Sequence, residues 1–333
     1  MSLRVSVIIP SYKSGAYIEA TLDSVRSQTF PSSDLELLLI DDASPDDSVA
    51  VARKALANFG MDGRVVVREA NGGAAATRNQ GWRMASGDWI QFLDQDDILA
   101  PHKIALQARC AAQQPDDVAV VYSNWQHLTL EGDAWRPSGA VHAPQVDANP
   151  VLQILQQPAF GYVGPTLMRK SFLAAVGGFA KERNIGEDTD LMLRIAMAGG
   201  KFRAAASDEA AFFYRQTPNS LWQAYAKNQE AMRNLLYTFR SVEIFVRREA
   251  AGAGLPESLR TALAMRYSRF VDYYHQNDHE GFELLMGWLS ELGFKVPLGT
   301  SKSIEILAST MGYQNALRLR NAWRTLQGSR GGR

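Results

Sequence analysis

Short apolar runs that stop at acidic or Ser/Pro clusters, with helical patterns between them, fill the first hundred residues. Val5–Ile9 runs into Pro10-Ser11-Tyr12, Leu35–Ile40 into Asp41-Asp42-Ala43-Ser44, and Trp89–Leu93 into Asp94-Gln95-Asp96-Asp97, with a β-branched segment at Val65–Val67. Each is strand-sized and most are apolar on both faces, as a central parallel strand must be. Helical candidates lie between them at Ala16–Gln28, Asp46–Phe59 and Ala74–Ala85. That alternation imposes right-handed crossovers and a layered α/β architecture, a Rossmann-like, mostly parallel central sheet flanked by helices. In such sheets ligands lie beyond the carboxyl ends of the strands, which is where the acidic clusters fall.

The later chain reads differently. Val118–Gln126 reads as a strand and is followed by a looser segment to about Pro150. Lys170–Val176 and Asp188–Ala198 read as helices, and Phe202–Tyr214 as two short strands or a strand and a turn. From Leu221 the pattern is helical throughout, at Gln229–Arg248, Pro256–Gln276 and His279–Glu291, with apolar residues three and four apart. The simplest partition is a catalytic α/β domain over residues 1–220 and a helical C-terminal region over 221–333. With 35 basic and 35 acidic residues the formal net charge is zero, which removes any global attraction to nucleic acid or an anionic bilayer. The single cysteine, Cys110, forms neither an internal disulfide nor a cysteine cluster for zinc. No apolar run approaches the roughly 18 to 20 residues that span a bilayer, and the strand-like start leaves no room for a signal peptide, so a cytoplasmic location is expected.

The run at 94–97 carries the chemistry. Three carboxylates within four residues repel one another unless a cation or hydrogen-bond donors compensate. Hard carboxylate oxygens suit Mg2+ or Mn2+, and Mg2+ takes one or two carboxylates and fills its sphere with water and substrate phosphates. A diphosphate ligand follows. Asp41 and Asp42 supply acceptors for a nucleoside, and Tyr12 offers an aromatic face to its base. Asp46, near the start of its helix, reads as a cap.

These motifs and their order resemble the family-two glycosyltransferases, whose nucleotide-binding domain has the GT-A fold. The resemblance covers about the first 220 residues. It runs through the opening strand with Pro10-Ser11-Tyr12, the acidic pair Asp41-Asp42, and Asn71-Gly72-Gly73 with Ala76-Thr77-Arg78-Asn79. It continues through Asp94-Gln95-Asp96-Asp97, Val176-Gly177-Gly178-Phe179, and Glu187-Asp188-Thr189-Asp190-Leu191 with Arg194. It implies metal-dependent transfer of a sugar from a nucleotide diphosphate donor, UDP-linked, to an acceptor hydroxyl with inversion, in polysaccharide, lipopolysaccharide or other glycoconjugate synthesis. By the same resemblance Asp42 bonds the base, Pro10, Ser11, Tyr12 and Asp41 line its slot, and Arg78 faces the phosphate or base region. Asp94 and Asp96 hold the metal, with Asp94 and Gln95 also near the ribose. Asp188 is the general base, with Glu187 and Asp190 orienting the acceptor; read alone, Asp188 is also a helix N-cap, a role that would lower its pKa.

Two departures stand out. Ala43 occupies a position where many relatives have glycine, and since alanine tolerates a positive φ poorly a different turn is expected. Thr217 stands where many relatives have a metal- or diphosphate-binding histidine, and Arg215 offers electrostatic compensation. The histidines at 102, 127, 142, 275 and 279 fall in no motif and read as surface or structural. Trp125, Trp135 and Trp222 are candidates for stacking on sugars, and the loop Pro158–Pro165 for the acceptor. The tail from Gln314, with Arg318, Arg320, Arg324, Arg330 and Arg333 beside Leu317, Leu319, Trp323 and Leu326, reads as a basic amphipathic end able to meet the inner face of a membrane where a lipid-linked acceptor is found. The competing reading is a catalytically silent nucleotide-sugar-binding scaffold. A receiver-type phosphoacceptor module would explain Asp41-Asp42 but not the run at 94–97 or Glu187-Asp188.

Overall fold

The computed structural model describes residues 3–57, 62–146, 149–157, 161–181, 186–217, 228–249 and 254–328. Two compact units divide between Ala231 and Met232.

The first unit is built on a seven-stranded sheet. Its strands are β1 (Val5–Ser11), β2 (Leu35–Asp41), β3 (Asp62–Val67), β4 (Trp89–Phe92), β6 (Val118–Tyr122), β9 (Thr166–Arg169) and β10 (Lys201–Ala204), in the order β10-β6-β9-β4-β1-β2-β3. All neighbours are parallel except β9, which runs antiparallel to β4 and β6. Every residue of β2 is buried, matching its run of leucine and isoleucine, whereas the edge strand β3 alternates in exposure. Helix α1 (Ile18–Arg26) closes one face with Ile18, Leu22 and Val25, a single helical stripe, all fully buried. Each such side chain removed from water contributes about 1.5–3 kcal/mol. Helices α2 (Ser48–Leu56), α3 (Gly73–Met84) and α4 (Lys103–Ala112) complete the early crossovers.

The chain leaves β1 toward β2 and β3 on one side and returns with β4 on the other. The strand order therefore reverses between β1 and β4, and the crevice beyond their ends is the ligand-binding position of an open α/β sheet.

A second sheet corrects the sequence reading. Val118–Gln126 is two strands in two sheets, and the looser segment after it is a long hairpin, β7 (Trp125–Glu131) with β8 (Ala134–His142). With β5 (Ile98–Leu99) and β11 (Phe212–Arg215) they form the order β5-β11-β7-β8. Because β5 begins one residue after Asp97 and β11 ends at Arg215, this sheet anchors the acidic run. Helices α5 (Pro150–Gln156), α6 (Lys170–Val176) and α7 (Glu187–Met197) follow.

The second unit is helical, as the periodicity predicts. The helix Gln229–Glu249 buries Met232, Leu235, Leu236, Phe239 and Val242 along one stripe. Pro256–Gln276 is two helices, Glu257–Ser268 and Val271–Asn277. Ser268 Oγ bonds back to Ala264 O and accepts Leu298 N–H, diverting the chain where one helix was expected. In the helix Tyr313–Gly328, Ala316 and Leu317 are fully buried and Arg320 pairs with Asp272 at 2.7 Å. Of the apolar residues expected to meet a membrane, Leu317 is buried and Leu319 is exposed. Residues 329–333 lie outside the described residues. No described helix is long and apolar enough to cross a membrane.

Candidate active site

The loops after β1 and β4 are locked together across the crevice. Gln95 Oε1 accepts the Tyr12 N–H at 2.6 Å and Gln95 Nε2 donates to Tyr12 O at 3.1 Å, a two-point amide pair. Gln95, expected beside the ribose, therefore positions Tyr12, whose ring is 39% exposed with Lys13 Nζ 5.3 Å from its centroid. Pro10 is half-buried. Ser11 is buried and its hydroxyl pairs with that of Ser14 at 2.8 Å, so it supports the slot from behind.

Asp41 and Asp42, expected at the nucleoside, are both buried and accept hydrogen bonds from protein donors. Asp41 accepts the Ser44 N–H and O–H at 2.9 and 2.6 Å, closing the turn after β2. Asp42 accepts Arg68 Nη1 and the amides of Gly72 and Gly73, the latter at 2.8 Å, and so shapes the loop that opens α3. The turn between them is the one a glycine would make: Ala43 has φ +59°, so the expected change of turn does not occur and alanine is held in the left-handed region.

The acidic run lies beyond β4. Burial, then the charge of Asp94, pushes the Asp96 carboxyl up to about 6, and among the described residues only Thr217 Oγ1, at 3.4 Å, donates a side-chain hydrogen bond to it. Asp97 is buried, accepts the Arg215 N–H at 2.8 Å, and is likewise pushed up by burial and then by Asp96 and Asp94. Thr217 thus meets Asp96, and Arg215 supplies the nearby positive charge. Its guanidinium is buried between Tyr17 and Trp135, at 5.4 and 5.1 Å from their centroids, with Nε lacking a hydrogen-bond partner. Among the described residues no three His, Cys, Asp or Glu form a closed metal site. Asp96, whose charge burial and Asp94 disfavour, together with Asp94 fits a divalent cation of the Mg2+ or Mn2+ kind, for which one or two carboxylates suffice when phosphates complete the sphere.

Arg78 joins the two halves of the site. Its buried guanidinium donates to Asp94 at 2.7 Å and to Glu187 at 3.1 Å, and reaches Asp188 at 3.5 Å. It was expected to face the donor; it instead ties the strand end to the start of α7, a charge-neutralising role that raises its own pKa against the cost of burial. Its neighbour Asn79 makes a two-point bond to the backbone of Phe179, at 2.7 and 2.9 Å, pinning the Gly177-Gly178-Phe179 loop. Adjacent residues of α3 thereby hold the first turn of α7 and the loop at 177–179 that precedes it.

Asp188 does not cap its helix; Gly186 is the cap residue. Its Oδ2 accepts the Val163 N–H at 3.2 Å, and burial, opposed by Arg78 and aided by Glu187 and Asp94, pushes it up to about 7. The depressed value that capping implied is therefore reversed. Asp190, expected at the acceptor, is 7% exposed and pairs with Arg194 at 2.7 Å, while Arg194 donates to Val176 O, a bracket between α6 and α7.

Two features escaped the sequence reading. His127 and His142 belong to an aromatic cluster with Trp125, Tyr162 and Tyr214. The signal was the Glu131-Gly132-Asp133 turn, which marks the hairpin carrying them. The second is Lys103, fully buried, whose Nζ donates to Gln91 Oε1 and Gln107 Oε1. Trp135 packs on Arg215, and Trp222 and residues 158–160 lie outside the described residues.

Known proteins resemble this chain in sequence and in fold. An uncharacterized glycosyltransferase of Haemophilus influenzae is 27% identical over 191 residues, 57% of this chain and 61% of that protein, so the chain spans about three fifths of the relative's length. S. aureus TarS 1–349, solved in complex with UDP-GlcNAc, superposes with a TM-score of 0.58 at 18% identity over 88% of this chain and 93% of that one. The mannosyltransferase PcManGT from Pyrobaculum calidifontis, solved with GDP-Man and Mn2+, gives 0.55 at 17% identity over 97% and 88%. These likenesses establish the GT-A-type fold of the sheet whose strand-order reversal carries the acidic run. The profile described as Glycosyl transferase family 2 matches residues 6–175, just over half of the chain and every strand from β1 to β9, and the protein belongs to that family.

Proposed function

We propose that the protein is a metal-dependent inverting glycosyltransferase. It moves a sugar from a nucleotide diphosphate donor, UDP-linked, to an acceptor hydroxyl during polysaccharide, lipopolysaccharide or other glycoconjugate assembly. The observation that carries this is the Arg78 bridge, which holds Asp94 of the strand end and Asp188 of the helix start on one guanidinium. The UDP-GlcNAc bound by TarS and the GDP-Man bound by PcManGT, on the same fold, support a nucleotide-sugar donor.

Asp94 and Asp96 would hold the divalent cation, which when bound neutralises charge developing on the leaving diphosphate. Tyr12, fixed by Gln95, lines the base slot. Asp188 takes the proton of the acceptor hydroxyl as its oxygen attacks the anomeric carbon and the bond to the diphosphate oxygen breaks. A carboxylate raised toward neutrality is suited to this task, because general-base catalysis is most effective when the pKa lies near the working pH. Val163 N–H and Arg78 orient it. Contact of the C-terminal tail with an anionic membrane surface is part of the same proposal, and equal liposome recovery with and without residues 313–333 would remove it.

The test is release of UDP from a panel of UDP-sugars with Mn2+, without and with saccharide acceptors. Asp96→Ala should abolish release, and Asp188→Asn should abolish transfer while still binding UDP. A wild-type protein that binds UDP-sugars and cleaves none would instead be a binding scaffold.

A further inference from the structure

The residue before Val163, whose N–H holds Asp188, is Tyr162, and its ring is 47% exposed. An exposed tyrosine is ordinarily free to move, but this one is held. Trp125 meets it edge-on at 5.8 Å, and Tyr214 lies 6.1 Å away at an interplanar angle of 31°. Trp125 is itself fixed, stacked on His142 at 4.1 Å. The loop reaches this position only because its glycines carry no Cβ. At Gly161 a Cβ would collide with Thr189 Oγ1 in the first turn of α7, and at Gly164 with the ring of Phe212. The backbone on either side of Tyr162 is therefore packed against the helix that bears Asp188 and the strand that bears Tyr214.

A rigid ring with an open side offers a flat, electron-rich surface. The chemical class that complements it carries polarised C–H bonds on one flat side and hydroxyls at its rim, which describes a pyranose. A nucleobase is the competing flat ligand, but the base slot lies at Tyr12, at the end of β1. We propose that Tyr162, backed by Trp125 and Tyr214, is a stacking platform for a pyranose ring of the acceptor, which it presents with a hydroxyl toward Asp188. This rests on the reading of Asp188 as the base. Burial and the Asp188 charge keep the Tyr162 phenol protonated, leaving its O–H to donate to a sugar hydroxyl.

The experiment is saturation-transfer difference NMR of the full chain with methyl glucoside, galactoside, mannoside and N-acetylglucosaminide, each with and without UDP and Mn2+. Wild type and Tyr162→Phe should show transfer to the C–H protons of one ring side of at least one pyranoside, and Tyr162→Ala should show about fivefold less. UDP binding by calorimetry confirms that the variants are folded. No transfer from wild type to any pyranoside, or equal transfer to Tyr162→Ala, would overturn the platform. Stacking on Tyr162 without UDP release from any UDP-sugar would leave the platform standing and remove the transferase reading.

Discussion

One guanidinium serves three carboxylates at Arg78, and the balance is incomplete: Asp188 stays raised because burial, Glu187 and Asp94 together outweigh the arginine. The sign of the resulting pH dependence follows. With its folded pKa near 7 and an ordinary value of 3.8, Asp188 binds a proton in the folded state over a range where the unfolded chain has lost it. This group therefore contributes stability at low pH that is lost as pH rises through about 7, whereas transfer needs the ionised form and should rise over the same range. Glu187→Gln removes a neighbouring negative charge, so the acid limb of the rate profile should move to lower pH; an unmoved limb would assign it to another group. Ala43 gives a second residue-scale prediction. A non-glycine residue in the left-handed region costs about 1–2 kcal/mol, part of which glycine returns through its larger unfolded-state entropy, so Ala43→Gly should stabilise by about 0.5–1 kcal/mol in urea titration. The sequence marked Asp94, Asp96 and Asp188 as candidates and Ala43 as unusual. It did not show that Arg78 binds carboxylates, because ion pairing across 110 residues is settled only when two elements meet.

Elements were legible where periodicity was strong and local. Strands β1, β2 and β4 and helices α1 to α3 stand where the alternation put them, since each is a run apolar enough to fix its own burial. The second sheet was not legible: β5 has two residues, β8 is largely exposed, and β5 meets its partner β11 through just two pairs, Leu99 with Phe212 and Ile98 with Phe213. The polar layer beneath the loop at 161–165 was hidden for the same reason. Lys103 looked like an ordinary helix-start lysine, yet it joins Gln91 and Gln107, whose amides hold Gly164 O at 2.8 Å and Pro165 O at 3.0 Å. Burial alone pushes its amine well down. Lys103→Met keeps the bulk but leaves two buried amide oxygens without that donor, at about 1–3 kcal/mol each. A loss of about 2–4 kcal/mol in denaturant unfolding is expected. Because the layer supports the loop that offers Val163 N–H to Asp188, transfer should fall further than UDP binding. Equal losses in both would show the network to be general packing.

Across the whole molecule the chemistry and the helical appendix fall in separate compact units. The appendix was legible as helix, and the division at Ala231/Met232 lies a little beyond the expected boundary at 220. Every residue proposed to touch the donor lies in the first unit, so by mass action UDP with Mn2+ at 100 times its Kd should stabilise the state that binds it by about 2.7 kcal/mol. Hydrogen exchange should locate that effect at 10–14 and 94–97. The second unit has its own charged centre: Glu243, fully buried, accepts Arg240 Nη1 at 2.8 Å and Arg247 Nε at 2.9 Å and lies 3.3 Å from the Tyr267 hydroxyl. Its arginine partners are 20% and 43% exposed, so loss of the Glu243 charge leaves them partly solvated and costs about 1–3 kcal/mol in broken hydrogen bonds. Glu243→Gln should accordingly quicken exchange across 229–291, and the protection that UDP and Mn2+ give to 94–97 reads whether donor binding depends on that helical core. Protection that survives the substitution would confine the donor site to the first unit. Protection that disappears would make the appendix part of what the donor recognises.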